Sequence, residues 1–219
     1  MTYGVKGNSD IGPTVFPFKT KLIGEFNKYN ILAAVSVCKT LGIKDEDIRN
    51  GIKTFKAPIG REDIVYDKDF KVMVDFAHTP NAFEQILSSV RPSIKGRLIH
   101  VFGSAGERDA TKRPLMGKAS ARYSDVIILT AEDPRSDNLG KINAEIESEI
   151  MNHESWIQNG KLFKIEDRQE AIITAIKMAR KGDFVLITGK SHEKSMNYGN
   201  GEVPWDEYEV VKKGLMIKD

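Results

Sequence analysis

The segment from Lys71 to Asn81, KVMVDFAHTPN, decides the fold that the sequence predicts. It begins with a short apolar run rich in β-branched residues, which indicates a strand covered on both faces. The polar turn that follows ends in Thr79, a helix cap, and in Pro80, whose fixed φ suits the first helical position. The segment therefore predicts a strand, a turn and a helix in succession, the repeating unit of α/β proteins.

The same unit recurs toward the end of the chain. Strands are predicted at residues 71–76, 97–102, 125–130, 162–165 and 183–188, and helices at 82–90, 114–122, 142–151, 170–180 and 206–215. Strands alternate with helices, and the central strands are almost continuously apolar. We therefore predict an α/β fold, a Rossmann-like, doubly wound domain with a mostly parallel sheet.

The first part of the chain has a different pattern. Residues 1–20 are rich in Gly, Pro and Thr, which predicts irregular or edge-strand structure. A helix is expected to begin near Asn27, with this residue as its N-cap, and to stop at Gly42, and a second short helix is expected at 45–55. Pro58 and Gly60 break both patterns, so we predict one domain at 1–57 and another at 58–219.

The composition excludes several classes of protein. Of the 219 residues, 40% are hydrophobic, and the formal net charge is +2. These values are typical of a folded protein and give no sign of a nucleic-acid-binding surface. The single cysteine excludes an intrachain disulfide, and no signal peptide or membrane-spanning apolar run is apparent. We expect a soluble, cytoplasmic protein with no nucleic-acid or membrane partner.

Polar and glycine residues are concentrated where the predicted strands end. They follow the first strand at 75–80, the second at 103–113, the third at 132–137 and the fifth at 189–193. In open α/β sheets, ligands bind beyond the carboxyl ends of the strands. The pattern therefore predicts a site for a polar, charged ligand at this edge of the sheet.

Several of these features are ambiguous when each is taken alone. Gly103 and Gly106 are also compatible with a simple tight turn. His78 and His192 lack the spacing of metal ligands, so a hydrogen-bonding role is favoured and no metal ligand is predicted. Residues 189–191, GKS, resemble the end of a P-loop, but Phe184 stands where that motif needs Gly, and no G-x-x-x-x-G-K-[ST] occurs in the sequence.

Taken in order, the strand-end motifs resemble those of the Mur ligases, in particular the UDP-N-acetylmuramoyl-tripeptide synthetases. The resemblance extends from about residue 24 to residue 215. It rests on an ordered set of short motifs: GEFNKYN at 24–30 with LAA at 32–34, GRE at 60–62, DFAHTP at 75–80, GERD at 106–109, KRPLMG at 112–117, EDPR at 132–135, DR at 167–168 with AI at 171–172, and GKSHE at 189–193.

The resemblance implies a ligase that adds a diamino acid to UDP-N-acetylmuramoyl-L-alanyl-D-glutamate through an acyl phosphate formed with ATP and Mg²⁺. Residues 1–57 would be the end of the central ATP-binding domain, and 58–219 the C-terminal domain that binds the amino acid. The UDP-sugar domain, the P-loop and the remainder of the central domain would be missing partners. We therefore expect the chain alone to be inactive.

The resemblance also implies roles for individual residues. An Arg at the place of Arg135 goes with the distal carboxylate of meso-diaminopimelate, which is therefore the favoured substrate. The positions near ATP are matched by Asn27, Asn30, Arg61 and Asp75. The amino-acid-binding positions are matched by Arg113, Glu132, Asp133, Pro134, Arg135, Gly189 and Glu193.

Two departures from the family pattern leave alternatives open. The usual Asp-Asn-Pro-Arg is here EDPR, and the negative charge of Asp133 is expected to favour an amine and disfavour a carboxylate. Ser191 replaces the second Gly of the usual Gly-Lys-Gly-His-Glu. Lysine or a related diamino acid therefore stays open as the substrate. A truncated, non-catalytic Mur-like module that binds a diamino acid or a partner protein stays open as the function.

Overall fold

The protein forms two compact units, Met1–Pro58 and Ile59–Asp219. Its structure is a computed structural model that describes residues 2–9, 12–153, 156 and 159–218. Among the helices within these ranges, none combines the length and the apolar character that crossing a membrane requires.

The first unit combines a β-hairpin with two helices. Strands β1 (Thr2–Ser9) and β2 (Gly12–Lys19) pair antiparallel, and helices α1 (Phe26–Thr40) and α2 (Asp45–Thr54) follow. The hairpin gives regular structure to the segment for which irregular or edge-strand structure was expected. A small apolar core joins β2 to both helices through Phe16, Phe18, Ile31, Val35 and Ile48.

The prediction that Asn27 caps the first helix is wrong. Helix α1 begins at Phe26, after Glu25, so Asn27 lies inside its first turn. Its side-chain amide donates to the carbonyl oxygen of Ile23 at 2.7 Å and accepts from the Asn30 amide at 3.1 Å. The side chain therefore binds the loop before the helix and does not cap the helix backbone. The predicted stop is confirmed, because Gly42 follows the helix with a φ of +75°.

The second unit alternates strands with helices. The predicted elements are present, with ends that differ by up to three residues from those expected. In chain order the elements are β3 (Asp63–Asp67), β4 (Lys71–Asp75), α3 (Pro80–Val90), β5 (Leu98–Phe102), α4 (Lys112–Tyr123), β6 (Val126–Leu129), α5 (Leu139–Ile150), β7 (Lys161–Lys164), α6 (Arg168–Met178), β8 (Phe184–Thr188), β9 (Ser195–Asn197), β10 (Glu202–Pro204) and α7 (Glu207–Lys218).

Six strands of the described chain form one sheet in the order β3-β4-β8-β5-β6-β7. The strands from β4 to β7 in this order run parallel, and β3 pairs antiparallel with β4 at one edge. Helices α3, α4 and α5 pack in a row, and α6 packs on α7. Alternate residues of β4, β5, β6 and β8 share a core with α6 and α7. This arrangement confirms the predicted doubly wound, mostly parallel α/β fold.

The strand order brings the polar loops together. Strand β8 lies between β4 and β5, and β6 lies on the other side of β5. Since parallel strands end at the same edge, the loops that follow these four strands meet there. The hairpin of β9 and β10, which the sequence analysis did not predict, follows the β8 loop directly. This edge is the candidate site.

Candidate functional site

The loops after β6 and β8 meet in an ion-pair cluster. The ammonium nitrogen of Lys190 lies 2.8 Å from Oδ2 of Asp133 and 2.7 Å from Oε2 of Glu193. The other oxygen of Asp133, Oδ1, accepts the backbone N–H of Asn197 at 2.8 Å. The structure thus brings two predicted site residues together through a buried lysine to which the sequence analysis gave no role.

Gly189 allows the β8 loop to approach Glu132 closely. Its φ is +107°, which favours glycine, and a Cβ at this position would lie 2.2 Å from Oε2 of Glu132. Gly189 also donates its backbone N–H to the carbonyl oxygen of Asp75 at 3.3 Å. The glycine therefore sits between two other predicted site residues, where no larger side chain fits without movement.

Glu132 is a buried carboxyl group inside this cluster. Its Oε2 atom has no hydrogen-bond partner among the described residues. Burial raises the pKa of Glu132 to about 8, against the opposing effect of the charges of Arg168, Lys112 and Lys190. The group is therefore largely protonated at neutral pH, so it can donate a hydrogen bond to a ligand as well as accept one.

Arg135 and Pro134 join the β6 loop to the loop after β5. The guanidinium Nη1 of Arg135 donates to the carbonyl oxygen of Gly106 at 2.7 Å. A Cβ on Gly106 would lie 1.8 Å from the carbonyl oxygen of Pro134, so glycine is required there. Arg135 has a φ of +51° and donates its backbone N–H to Asn197 at 3.1 Å. Its half-buried guanidinium is thereby placed at the junction of the two loops.

Arg113, a predicted amino-acid-binding residue, lies buried in the first turn of α4. Two carboxylates hold it: Nη1 lies 2.7 Å from Oε2 of Glu145, and Nη2 lies 2.9 Å from Oδ2 of Asp137. Nη2 also donates to the carbonyl oxygen of Ala105 at 3.3 Å. The guanidinium therefore organises the β5 loop, and its contact with a substrate stays a prediction.

The other side of the cluster carries Arg61 and Asp75. Asp75 accepts backbone N–H groups from Glu62 at 2.8 Å and from Ala77 at 2.7 Å, so its carboxylate shapes the turn. The exposed guanidinium of Arg61 lies over the ring of Phe76, 4.7 Å from its centroid. Arg61 can therefore meet an anionic group, whereas Asp75 acts chiefly on the backbone around it.

The two histidines considered as ligands lie beside Phe76. Its ring centroid is 4.8 Å from that of His78 and 5.0 Å from that of His192. Nδ1 of His78 is within 2.8 Å of the Phe76 carbonyl oxygen, which agrees with a hydrogen-bonding role. Within the described chain, no group of three or more His, Cys, Asp or Glu side chains is arranged to hold a metal ion.

Asn27 and Asn30, the remaining predicted nucleotide contacts, lie on α1 in the first unit. They are hydrogen-bonded to each other, with Asn27 buried and Asn30 exposed. Their contact with a nucleotide stays a prediction, as does the assignment of residues 1–57 to a central ATP-binding domain.

Sequence reasoning gave no role to Arg168, which is fully buried behind the site. Its Nη1 donates to the carbonyl oxygen of Ala131 at 3.1 Å, and its Nη2 donates to that of Thr188 at 2.8 Å. These two carbonyls lie at the roots of the β6 and β8 loops. The available signal was the Asp-Arg pair at the start of α6, where Asp167 caps the helix. The contacts of Arg168 with the two loops join residues far apart in the chain, so no local sequence pattern indicated them.

Comparison with known proteins identifies the family. The profile described as "Mur ligase, glutamate ligase domain" matches residues 60–191. The UDP-N-acetylmuramoyl-L-alanyl-D-glutamate--2,6-diaminopimelate ligase of Aquifex aeolicus (strain VF5) is 41% identical over 200 residues, covering 91% of this chain and 40% of that protein. The UDP-N-acetylmuramyl-tripeptide synthetase of Borreliella burgdorferi (strain ATCC 35210 / DSM 4680 / CIP 102532 / B31) is 43% identical over 197 residues, covering 89% and 38%.

Solved structures agree with this result. A structure of a UDP-N-acetylmuramoyl-L-alanyl-D-glutamate--2,6-diaminopimelate ligase superposes with a TM-score of 0.69 at 28% identity, covering 99% of this chain and 43% of that chain. The chain thus spans about two fifths of the length of the curated relatives that it matches. On the match of the family profile and the agreement of the fold, the chain belongs to the Mur ligase family.

Proposed function

We propose that this chain is the amino-acid-binding part of an ATP-dependent ligase. The ligase adds a diamino acid, meso-diaminopimelate in preference to lysine, to UDP-N-acetylmuramoyl-L-alanyl-D-glutamate. The proposal rests chiefly on the junction of the β5, β6 and β8 loops. There Arg135 and Asp133 of the β6 loop lie beside Lys190 and Glu193 of the β8 loop, with Lys190 paired to both carboxylates. Relatives 41% and 38% identical to this chain bear the name of a diaminopimelate ligase.

The junction suits one end of meso-diaminopimelate, which carries an ammonium and a carboxylate on the same carbon. A guanidinium has five N–H donors in a planar fork, and Gly106 uses one donor of Arg135, which leaves others for a bidentate carboxylate. Glu193 and Glu132 offer oxygens to the ammonium group. Held in this way, the distal end of the amino acid fixes where its reacting amine can lie.

The chemistry of the ligase needs this positioning more than it needs an acid or a base from the loops. ATP transfers its γ-phosphoryl group to the free carboxylate of the precursor, and the amine of the bound amino acid attacks the resulting acyl phosphate. Phosphate leaves, the amine loses a proton, and an amide bond forms. Orienting the amine toward the acyl carbon converts an encounter of two molecules into a reaction within one complex.

ATP and Mg²⁺ are proposed cofactors of the whole ligase. The exposed guanidinium of Arg61 fits a phosphate or another anionic part of the nucleotide. Asn27 and Asn30 are proposed to lie near the nucleotide base, and Asp75 is proposed as a position that meets ATP. No described residue is assigned as a Mg²⁺ ligand. We place the ligase in the cytoplasm, with UDP-muramoyl-dipeptide as its second substrate and the remaining ligase domains as partners.

An incorporation assay tests the proposal. The ligase that carries this chain is incubated with UDP-N-acetylmuramoyl-L-alanyl-D-glutamate and ¹⁴C-labelled meso-diaminopimelate, with and without ATP. We expect label in the UDP-linked product only when ATP is present. Incorporation of neither diaminopimelate nor lysine would leave the alternative of a non-catalytic diamino-acid or partner-protein binding module as the better account. Asn27, Arg61 and Asp75 match nucleotide-facing positions of the family, and a module that only binds an amino acid would have no use for them, so they favour the ligase.

A further inference from the structure

Lys190 is a deeply buried cation between the β6 and β8 loops. Lys190 is 1% exposed, whereas the side chains of Asp133 and Glu193 are 18% and 41% exposed. The ammonium group therefore lies behind the two carboxylates, on the protein side. Burying an ammonium is costly unless it is paired, and Lys190 is paired twice.

The backbone around Lys190 directs its side chain inward. Gly189 before it has a φ of +107°, and Ser191 after it has a φ of +50°. Ser191 is buried and donates its hydroxyl to the carbonyl oxygen of Gly60 at 2.7 Å. Residues with positive φ thus flank this lysine on both sides, and one of them is not a glycine.

Lys190 balances the charges of four side chains in the β6 and β8 loops. The carboxylates of Asp133 and Glu193 are offset by the ammonium of Lys190 and the guanidinium of Arg135. Burial raises the pKa of Glu132 to about 8, which keeps that group largely uncharged at pH 7. These four charges sum to zero, which suits an amino-acid end that carries one positive and one negative charge. Without the ammonium of Lys190 their sum would be negative, which would suit the lone ε-ammonium of lysine.

We propose that Lys190 is a positioning residue that sets the amino-acid preference of the site. Asp133 stands where the usual family motif has Asn, and its negative charge alone would disfavour a carboxylate. Because Lys190 neutralises that charge, the junction accepts the zwitterionic end of meso-diaminopimelate. The inference rests on the proposed function of this site. Lys190 acts through the two carboxylates and is not itself assigned a contact with the substrate.

The test measures the preference of the site for meso-diaminopimelate over L-lysine. If Lys190 had only a structural role, its loss would not alter this preference. Dissociation constants of the purified 219-residue chain for meso-diaminopimelate and for L-lysine are determined by calorimetry. In Lys190→Met, we expect the ratio of the two constants to shift about tenfold toward lysine, which corresponds to ~1.4 kcal/mol. In the double variant Asp133→Asn/Lys190→Met, the ratio should return toward that of the wild type, since the uncompensated charge is gone.

Lys194→Met is the matched control. Lys194 lies in the same segment and loses an ion pair with Asp206, but its side chain is 65% exposed and outside the cluster. We expect it to leave the ratio unchanged. If Lys190→Met does not fold, Asp133→Asn alone serves as the test, because it leaves Lys190 in excess and should shift the ratio toward diaminopimelate.

The outcomes separate the two proposals. A wild-type chain that binds at least one of the amino acids, with no change of ratio in Lys190→Met or Asp133→Asn, overturns the role of Lys190 and leaves the proposed function standing. A wild-type chain that binds neither amino acid overturns both. A shift in Lys194→Met as large as in Lys190→Met would also overturn the role of Lys190, because removal of any nearby charge would then suffice.

Discussion

Arg168 and Glu207 form a fully buried, bidentate ion pair, with Nε to Oε2 at 2.9 Å and Nη2 to Oε1 at 2.6 Å. The indole N–H of Trp205 donates to the same carboxylate at 3.0 Å. The pair connects the start of α6 to the start of α7, and Arg168 also binds the roots of the β6 and β8 loops. It therefore links the packing of the helices to the placement of the site.

Removing the cation of this pair should destabilise the protein strongly. Arg168→Met leaves the Glu207 carboxylate buried without its partner, so we expect the free energy of unfolding to fall by about 3–5 kcal/mol. Lys164→Met is the control, because Lys164 pairs with Glu147 at 2.8 Å with its side chain 51% exposed. It should cost less than ~1 kcal/mol. Urea denaturation measures both, and similar losses would contradict the structural role of Arg168.

His100 should make the protein less stable in acid. It is fully buried between the hydroxyls of Ser120 and Thr188, and burial, followed by the charge of Arg168, lowers its pKa from 6.5 to about 3. The unfolded chain therefore binds a proton more readily, and stability is lost as the pH falls from 6.5 toward 3, by up to ~1.4 kcal/mol for each pH unit.

The variant His100→Gln keeps a neutral hydrogen-bonding side chain and removes this titration. We expect the difference in unfolding free energy between wild type and variant to shrink as the pH falls from 6.5 to 4. Thermal or urea unfolding across that range measures it. A difference that stays constant with pH would show that His100 does not titrate as its burial requires.

Glu132 should make the protein less stable as the pH rises, the opposite of the effect of His100. Its pKa is raised from 4.5 to about 8, so the folded chain binds a proton that the unfolded chain does not bind between these values. The stabilisation is fully present below pH 4.5 and is lost as the pH rises toward 8. We expect Glu132→Gln to remove this loss, so that the variant gains stability relative to wild type between pH 5 and 8. A parallel pH profile for the two proteins would refute the buried, protonated state of Glu132.

Gly189→Ala should be more damaging than its backbone conformation alone explains. A Cβ at Gly189 meets the Glu132 carboxyl, whereas at Gly201, with a φ of +96°, it meets nothing within 4 Å. Gly201→Ala should therefore cost about 1–2 kcal/mol from its left-handed conformation alone. Gly189→Ala should cost more and should also weaken amino-acid binding, since Glu132 must move. Equal losses of stability and unchanged binding would argue against close packing at Gly189.

The sequence predicted the α/β fold because each strand and helix carried a local signal. Helix α3 begins as expected, with Thr79 accepting the N–H of Ala82 and Pro80 at the first helical position. The misses lie where the local signal was weak or misleading. Strand β3 is a short, half-buried edge strand, and β9 and β10 have three residues each. Asn27, a residue suited to capping, lies two positions after the N-cap Glu25 and therefore inside the helix.

The sequence analysis predicted that polar residues would gather beyond the carboxyl ends of the strands. They do so because the parallel strands end at the same edge of the sheet. Asp133 and Glu193 both pair with Lys190, although they lie sixty residues apart in the sequence. The link between them could not be predicted, because a Lys beside Gly189 gave no sign that it would be buried. Arg168 presented the same difficulty, since its partners Ala131 and Thr188 are far from it in the chain. Strand position can be deduced from pattern, whereas pairing among charged groups depends on the assembled loops.

The most direct test of the central claim is the effect of Arg135→Ala on the affinity for the two amino acids. The Arg135 guanidinium is proposed to bind the distal carboxylate of meso-diaminopimelate, a group that lysine lacks. Dissociation constants should therefore rise by about ten- to a hundredfold for diaminopimelate, as expected for a lost charge-assisted hydrogen bond, and by much less for lysine. Arg122→Ala, which removes an exposed surface guanidinium, is the control. Equal weakening for both amino acids, or none for diaminopimelate, would contradict the account.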